Sequence, residues 1–139
     1  MVVLIDTNIL LDVLEKRCGF YDMSLEILTW CASGKIKGVI ALHSVSNIFF
    51  SLRKQCPVPE RRRLLSGILD FLQVAGLNHA DVKNALLRED FSDFEDCLQD
   101  ESAKKAGADY IVTRNIQDFK YAAVKAVTPE EFMELNRCN

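Results

Sequence analysis

The sequence predicts an α/β fold in which helices cover both faces of a mostly parallel sheet of four to five strands. Three observations support this prediction. Short apolar runs alternate with segments of helical periodicity along the whole chain. The first run, Val2–Ile5, is uninterrupted, which is typical of a strand buried on both faces. No repeat or low-complexity segment breaks the alternation, so we predict a single three-layer α/β/α domain over residues 1–139.

Five apolar runs predict the strands. They cover residues 2–5, 38–42, 71–75, 110–113 and 124–127. The third run, residues 71–75, fits either a short strand or the end of the preceding helix. A predicted helix separates most strands from the next one, which favours parallel pairing.

Apolar residues at helical spacing predict the helices. These cover residues 7–16, 22–33, 45–52, 59–69, 80–88 and 92–106, and a final helix that begins at Pro129. Several ends are marked by residues with known preferences. Thr7 or Asn8 can cap the first helix, Gly34 fits the end of the second, and Pro59 suits a first helical position.

The composition limits the classes of function. The chain has 139 residues, a net charge of −3, 49% hydrophobic and 27% charged residues, which is ordinary for a soluble globular protein. A net negative charge argues against a protein coated in positive charge for nonspecific duplex binding. It leaves open a nuclease that holds phosphates with a local basic patch.

The five cysteines and the distribution of apolar residues predict the environment of the protein. No two cysteines have C-x-x-C spacing, so we expect no structural zinc site. A strand that starts at residue 2 leaves no room for a signal peptide, so we expect reduced thiols and a cytoplasmic protein. No apolar run reaches about 18 residues, so we expect no membrane span.

Polar residues follow several predicted strands. Asp6 ends the first strand, and Asn47 lies in the first turn of the helix after the second. Asn115 and Asp118 follow the fourth strand, within residues 113–119. Because a parallel sheet gathers the carboxyl ends of its strands at one edge, we expect these side chains to lie close together. The first eight residues alone leave open whether Asp6 does more than cap the next helix.

The sixth predicted helix carries a second group of acids. Ser92 and Glu95 form the pattern of a capping box, which accounts for those two residues. At 100° per residue, Asp93, Asp96 and Asp100 share one face, which small residues continue. A solvated acidic face would be the ordinary explanation, but the small residues indicate packing against the sheet, so we predict that these aspartates point inward.

Several carboxylates in one cleft repel one another unless a proton or a divalent cation intervenes. Carboxylate and amide oxygens suit Mg²⁺ or Mn²⁺, and the sequence offers no thiolate or histidine set of the kind that zinc prefers. Magnesium held by carboxylates typically serves phosphate chemistry. The acids therefore predict a metal-dependent reaction at a phosphate group.

Five short segments carry a resemblance to a known family. They are Ile5–Asn8, Ser44–Asn47, Phe94–Gln99, Ala108–Asn115 and Asp118–Phe119. Together they resemble the PIN domain, the fold of VapC-type toxin ribonucleases, almost from end to end. The opening Asp-Thr-Asn and the strand followed by Thr-Arg-Asn are the most specific pieces. The resemblance implies a PIN-like fold and a metal-dependent endoribonuclease that hydrolyses RNA.

The resemblance also implies site residues. Asp6 and Asp96 would be the principal carboxylates, and Asp93 would join them as a metal ligand. The supporting residues that it implies are Asn47, Asn115, Asp118 and, as a polar neighbour, Thr113. With Mg²⁺ or Mn²⁺ bound, water would be the nucleophile, so no protein nucleophile is required.

Asn47 and Asn115 depart from the pattern of many PIN nucleases, which carry glutamate and aspartate at these positions. An amide oxygen can still bind a metal, but it supplies no charge. The chain resembles an asparagine-containing bacterial branch of the family, so we expect weakened metal binding rather than an inactive enzyme. Asp93 and Asp118 could restore the missing charge.

Basic residues offer weaker evidence. Arg114, beside the predicted cleft, is the best placed to contact an RNA phosphate. Arg53, Lys54 and residues 61–63 flank the proline-rich segment and could also contact phosphates, although a solvated helix face explains them better.

The resemblance further implies a toxin–antitoxin module, with a small antitoxin partner and a homodimer. Two other classes of function stay open. One is a non-catalytic module that binds RNA or protein, in which Asn47 and Asn115 have removed the chemistry. The other is a magnesium-binding phosphoacceptor domain of receiver type, which acids at strand ends and Lys125 would suit. A receiver, however, would carry an aspartate directly after its third strand, and this chain carries none there.

Overall fold

A computed structural model describes residues 1–138, and Asn139 of the predicted domain lies outside this range. The model confirms the predicted α/β fold. The strands are β1 (Val2–Ile5), β2 (Lys37–Ala41), β3 (Leu72–Ala75), β4 (Tyr110–Val112) and β5 (Ala126–Val127). They form one sheet in the order β3-β2-β1-β4-β5. Every neighbouring pair is parallel, as the alternation of strands and helices predicts.

Seven helices cover the two faces of this sheet. They are α1 (Thr7–Leu14), α2 (Tyr21–Ala32), α3 (Leu42–Ser51), α4 (Val58–Ile68), α5 (His79–Leu87), α6 (Phe94–Ala106) and α7 (Pro129–Arg137). Two short 3₁₀ helices cover Leu52–Lys54 and Ile116–Phe119. Helices α1 to α4 and α7 share the larger core on one face, and α6 covers the other face with α5 packed beside it. The result is the predicted three-layer arrangement.

Strand β1 lies at the centre of the sheet, between β2 and β4. Val3 and Ile5 belong to the larger core, whereas Leu4 belongs to the smaller core beneath α6. All three side chains are fully buried, which contributes about 1.5–3 kcal/mol of hydrophobic free energy for each. The uninterrupted apolar run therefore reflects two buried faces, and it carries Asp6 to the carboxyl edge of the sheet.

Helix α6 crosses the second face of the sheet and contacts β1, β2, β3 and β4. Ala103 is fully buried in this contact, as the predicted stripe of small residues requires. Gly107 ends the helix with a positive φ of 66°, a left-handed conformation that glycine adopts without strain. The other end of α6, which carries the acids, reaches the edge where Asp6 emerges.

Several predicted boundaries differ from the structure. The segment 71–75 forms a strand rather than a helix end, because it pairs with β2 through Leu72–Ala75. Strand β2 runs directly into α3 at Leu42, so Asn47 lies in the second turn of that helix rather than the first.

The predicted capping box of Ser92 and Glu95 is wrong. Helix α6 begins at Phe94, and the residue that caps it is Asp93. The Oδ1 atom of Asp93 accepts hydrogen bonds from the backbone N–H groups of Glu95 at 2.8 Å and Asp96 at 3.3 Å. An aspartate at the capping position satisfies these N–H groups directly, which frees the Glu95 side chain for other contacts.

Within residues 1–138, no helix combines the length and the apolar character that crossing a lipid bilayer requires.

Candidate active site

An open cleft of about 450 Å³ lies at the carboxyl edge of the sheet, where β1 and β4 end and α6 begins. Six of the predicted site residues line this cleft, and they are Asp6, Asn47, Asp93, Asp96, Asn115 and Asp118. Thr113, the seventh, is fully buried and is hydrogen-bonded to Asp6. The structure therefore brings together residues that are more than 100 positions apart in the sequence.

Asp6 is held by hydrogen bonds from two sides. Thr113 Oγ1 donates to Asp6 Oδ2 at 2.8 Å, and Gln99 Nε2 donates to Asp6 Oδ1 at 3.3 Å. Asp6 occupies the N-cap position of α1, but its side chain makes no capping hydrogen bond. Burial raises the pKa of Asp6, which is 6% exposed, and the hydrogen bond from Thr113 opposes that shift. Capping alone therefore does not explain Asp6.

Gln99 was not predicted as a site residue, although it connects three elements at the bottom of the cleft. Its side chain is 3% exposed, and Nε2 lies 3.0 Å from Ser44 Oγ and 3.3 Å from Thr7 Oγ1. Thr7 Oγ1 also donates to Ser44 Oγ at 2.7 Å. Gln99 follows Asp96 by three positions on α6, so the helical spacing that singled out Asp96 could have identified it too.

The Gln99 side chain also leaves one polar atom without a protein partner. Its Oε1 atom is buried, and no donor from residues 1–138 reaches it. Because a buried amide oxygen without a hydrogen bond is costly, this atom is available to water or to a bound group.

Asp96 is an acid whose carboxylate no group of residues 1–138 pairs or hydrogen-bonds. Its carboxylate forms no hydrogen bond or ion pair with any side chain or backbone group of residues 1–138. Burial raises the pKa of Asp96 to about 7, and the negative charges of Asp93, Asp6 and Asp118 add to the increase. The cleft is therefore a region of unbalanced negative potential.

Asn47 and Glu95 face each other across the cleft. Asn47 Nδ2 donates a hydrogen bond to Glu95 Oε1 at 3.3 Å, and both residues line the cleft. Glu95 is thus a cleft residue that the sequence analysis assigned to helix capping. On the opposite side, the backbone N–H of Asn115 donates to Thr113 Oγ1 at 3.1 Å. Asn115 is thus linked to Thr113, the residue that donates a hydrogen bond to Asp6.

The Arg114 side chain is not among the residues that line the cleft, and the predicted phosphate contact stays a prediction. Its Nη2 atom lies 2.9 Å from Asp12 Oδ1, and its guanidinium lies 3.9 Å from the ring centroid of Phe20. Thr113 and Arg114 are adjacent just after β4, but their side chains have different partners, because Thr113 bonds to Asp6 and Arg114 bonds to Asp12. Arg114 neutralises the buried Asp12.

The chemistry of the cleft suits a hard divalent cation. Its charged and amide groups present oxygen atoms, and no cysteine or histidine lines it. The unbalanced charge around Asp96 and the unpaired Gln99 Oε1 are both features that a cation and its waters would satisfy. No three His, Cys, Asp or Glu side chains of residues 1–138 stand close enough together to form a ready-made metal site. The donor set fits such an ion in its chemistry, although the side chains surround an open space.

The chain is similar to known proteins along nearly its whole length. It is 26% identical to Ribonuclease VapC1 of Aquifex aeolicus (strain VF5) over 139 residues, which is 95% of this chain and 93% of that protein. Among solved structures, it is similar to a toxin–antitoxin complex from Klebsiella pneumoniae, with a TM-score of 0.69 and 21% identity over 91% of this chain and 97% of that one.

Two further structures share the fold. VapBC2 from Rickettsia felis, bound to a promoter DNA fragment, has a TM-score of 0.66 and 18% identity over 92% of this chain and 98% of that one. VapC20 from Mycobacterium tuberculosis, a toxin that cleaves the sarcin–ricin loop, has a TM-score of 0.66 and 15% identity over 88% of this chain and 95% of that one. A model of the PIN domain matches residues 2–117, which include the sheet centre and every residue of the cleft lining except Asp118 and Phe119. The protein therefore belongs to the PIN-domain family.

Proposed function

We propose that this protein is a divalent-metal-dependent endoribonuclease that hydrolyses RNA phosphodiester bonds. The observation that carries the proposal is the group of carboxylates, centred on Asp6 and Asp96, that the protein gathers in an open cleft without neutralising them. The similarity to Ribonuclease VapC1 supports this choice of substrate. Because an accumulation of unpaired charge costs folding free energy, its presence argues for a role in binding.

Asp6 and Asp96 would hold Mg²⁺ or Mn²⁺, and Asp118 would add negative charge beside them. Asp93 would contribute through Oδ2, because its Oδ1 already accepts the capping hydrogen bonds. The amide oxygens of Asn47 and Asn115 could complete the oxygen set. When bound, the cation would supply a Lewis acid at the scissile phosphate and would offset the repulsion between that phosphate and the acids.

The residues around Asp6 fix its orientation. Thr113 holds one carboxylate oxygen from the end of β4, and Gln99 holds the other from α6. Ser44 and Thr7 in turn surround the Gln99 amide, so elements from four parts of the chain support one carboxylate. Such support keeps a binding group in place before the substrate arrives, which lowers the cost of reaching a productive geometry.

The experiment is cleavage of a mixed RNA pool in Mn²⁺ by the wild type, Asp6→Asn, Asp96→Asn and the double variant. If both acids hold the same ion, each single variant should lose at least about a hundredfold in rate, and the double variant should be little worse. Asp70→Asn is the control, because Asp70 is exposed and lies outside the cleft. Glu95 is unsuitable as a control, since it lines the cleft.

A second function deserves the same test, because no three acids of residues 1–138 form a ready-made metal site. This is a catalytically weakened PIN module that binds RNA or protein. A wild type that binds RNA but cleaves none in Mg²⁺ or Mn²⁺ would favour it. Near-normal cleavage by Asp6→Asn or Asp96→Asn would instead show that the site is wrongly assigned. Membership of the PIN-domain family argues against the receiver-type hypothesis.

We also propose that residues 1–139 form a single domain that acts as the toxin of a toxin–antitoxin pair. The similarity to structures of toxin–antitoxin complexes supports an antitoxin partner. The homodimer and the cytoplasmic location stay predictions. Sedimentation of the purified chain, and co-purification with the product of an adjacent small gene, would test the dimer and the partner separately.

A further inference from the structure

We propose that Phe50 and Arg53, called here the Phe50–Arg53 rim, form a subsite that stacks one unpaired base of single-stranded RNA. The inference rests on the proposed ribonuclease function, because it concerns the strand that would enter the same cleft. It adds a stacking contact for a base, which a carboxylate cannot supply.

Phe50 is an exposed aromatic residue at the edge of a polar cleft. It lies three positions after Asn47 on α3 and lines the cleft, and 62% of it is exposed. Single exposed apolar side chains are common and need no function of their own. The position of this ring next to the acids, and the cation that covers it, are the features that indicate a binding role.

Arg53 is ordered against the Phe50 ring. The guanidinium lies 3.8 Å from the ring centroid, and Nη1 donates to the backbone carbonyl of Phe50 at 3.0 Å. Both contacts hold the long side chain in place, so less conformational entropy remains to be lost when a ligand binds. A planar cation stacked on a ring is a surface on which a base can extend the stack.

The charge of Arg53 is also free of any carboxylate partner among the described residues. Arg61 is arranged in the same way over Phe49, but Phe49 does not line the cleft. Arg17, Arg88 and Arg114 each pair with a carboxylate, whereas no carboxylate of residues 1–138 lies within ion-pair distance of Arg53. A free arginine beside an exposed ring provides an attraction for phosphate and a surface for a base at one place.

The composition of the cleft explains why such a subsite would be needed. No lysine or arginine is found among its lining residues, all of which lie in the described part of the chain. The lining acids repel phosphates, so a stacking contact at the rim would add affinity for RNA that these carboxylates do not supply. Stacking on an aromatic ring requires no positive charge, and it requires a base that is not paired in a duplex. The geometry therefore points to a single strand.

The test measures binding of a labelled short oligouridine by fluorescence anisotropy in Ca²⁺, with intactness of the RNA checked on a gel. We expect Phe50→Ala to weaken binding about tenfold, because an aromatic–base stack contributes on that scale. Phe50→Trp keeps an aromatic ring and should bind about as tightly as the wild type. On an abasic strand of the same length, wild type and Phe50→Ala should bind equally. Arg53→Ala should weaken binding to both strands.

Tyr121→Ala is the matched control. Tyr121 is 61% exposed, and Lys120 lies 5.0 Å from its ring centroid, yet it is outside the cleft lining. This variant should bind both strands as the wild type does. Equal losses in Tyr121→Ala and Phe50→Ala would overturn the inference.

Three other outcomes would also overturn the proposed subsite. The first is oligouridine binding by Phe50→Ala that equals that of the wild type, while the wild type still cleaves RNA; the ribonuclease proposal would then survive. The second is unchanged RNA binding with altered self-association in sedimentation, which would assign the rim to a protein interface. The third is a wild type that neither binds nor cleaves RNA, which would overturn the proposed function as well.

Discussion

Asp96 and Asp100 lie one turn apart on α6, and the protein treats them in opposite ways. Asp100 is fully buried, and its carboxylate accepts from Arg88 Nη1 at 2.8 Å. It also accepts from the backbone N–H groups of Ala123 at 2.9 Å and Val124 at 3.0 Å. Asp96 is half-buried at the cleft, and no group of residues 1–138 neutralises it.

The comparison separates structural acids from acids that await a ligand. A buried charge must be compensated, and Asp100 receives its compensation from Arg88 and from the segment before β5. Asp12 is a second structural case, since it is fully buried with Arg114 at 2.9 Å and Ser24 Oγ at 3.0 Å. The protein therefore supplies partners where it needs a charge for folding. The absence of such partners around Asp96 supports the proposed role of its carboxylate in binding a cation.

The largest expected effect compares the two aspartates directly. Asp100→Asn should lower the free energy of unfolding by about 3 kcal/mol, because it leaves Arg88 partly unpaired beside a neutral group. Asp96→Asn should leave the apo protein unchanged or slightly more stable, because it removes repulsion. Urea denaturation in EDTA measures both. A loss in Asp96→Asn as large as that in Asp100→Asn would make Asp96 a structural residue.

Metal-linked stability sharpens the same comparison. Mn²⁺ at about 100 times its dissociation constant should raise the free energy of unfolding of the wild type by about 2.7 kcal/mol. The increase should disappear in Asp96→Asn and persist in Asp100→Asn, measured relative to each variant without metal. Thermal unfolding with and without millimolar Mn²⁺ provides the measurement. If Mn²⁺ still raised the free energy of unfolding of Asp96→Asn, the metal would bind at a site that does not include Asp96.

The sequence predicted the sheet and most of the cleft because both depend on short-range patterns. The run Val2–Ile5 is apolar on both faces, which only a central strand requires. Asp6, Asn47 and Asp118 follow strands whose ends a parallel sheet must gather at one edge. These predictions needed no knowledge of how individual helices rotate about their axes.

The sequence could not predict the partners of side chains whose role depends on tertiary contacts. Arg114 follows β4, but only the structure shows that its guanidinium pairs with the buried Asp12 and stacks on the ring of Phe20. Asp100 shares the face of Asp96, yet the position of Arg88 at the end of α5 decides its role. The shift of the helix start from Ser92 to Phe94 likewise depended on which of two adjacent polar residues caps it. Sequence spacing alone does not distinguish these cases.

The raised pKa of Asp96 should make the apo protein less stable as the pH rises. Because the pKa is about 7 in the folded protein and 3.8 for an ordinary aspartate carboxyl, the folded state binds more protons between these values, so stability falls as pH rises. With solvent screening in the open cleft, we expect a loss of about 1 kcal/mol between pH 4.5 and pH 7.5 in EDTA. Asp96→Asn should remove this loss.

Subtracting the stability–pH curve of Asp96→Asn from that of the wild type is necessary, because two other groups also titrate. Asp6, whose pKa burial raises, contributes with the same sign as Asp96, and His43 contributes with the opposite sign. Burial lowers the pKa of His43, so its contribution to stability is lost as pH falls below about 6.5. Equal slopes in wild type and Asp96→Asn would show that Asp96 is not the titrating group.

The smallest expected effect concerns Asn47, the neutral residue among the acids. Its side chain lines the cleft and donates to Glu95, so Asn47→Asp would replace that hydrogen bond with a repulsion between two carboxylates. The free energy of unfolding of the apo protein should fall by about 0.5 kcal/mol, while Mn²⁺ binding should tighten severalfold through the added charge. Calorimetry on wild type, Asn47→Asp and Asn47→Ala measures the affinity.

Asn47→Ala separates the two contributions, because it removes the hydrogen bond without adding charge and should therefore not tighten binding. Equal Mn²⁺ affinity in all three proteins would remove Asn47 from the metal site, and it would leave Asp6 and Asp96 to hold the ion without help from α3.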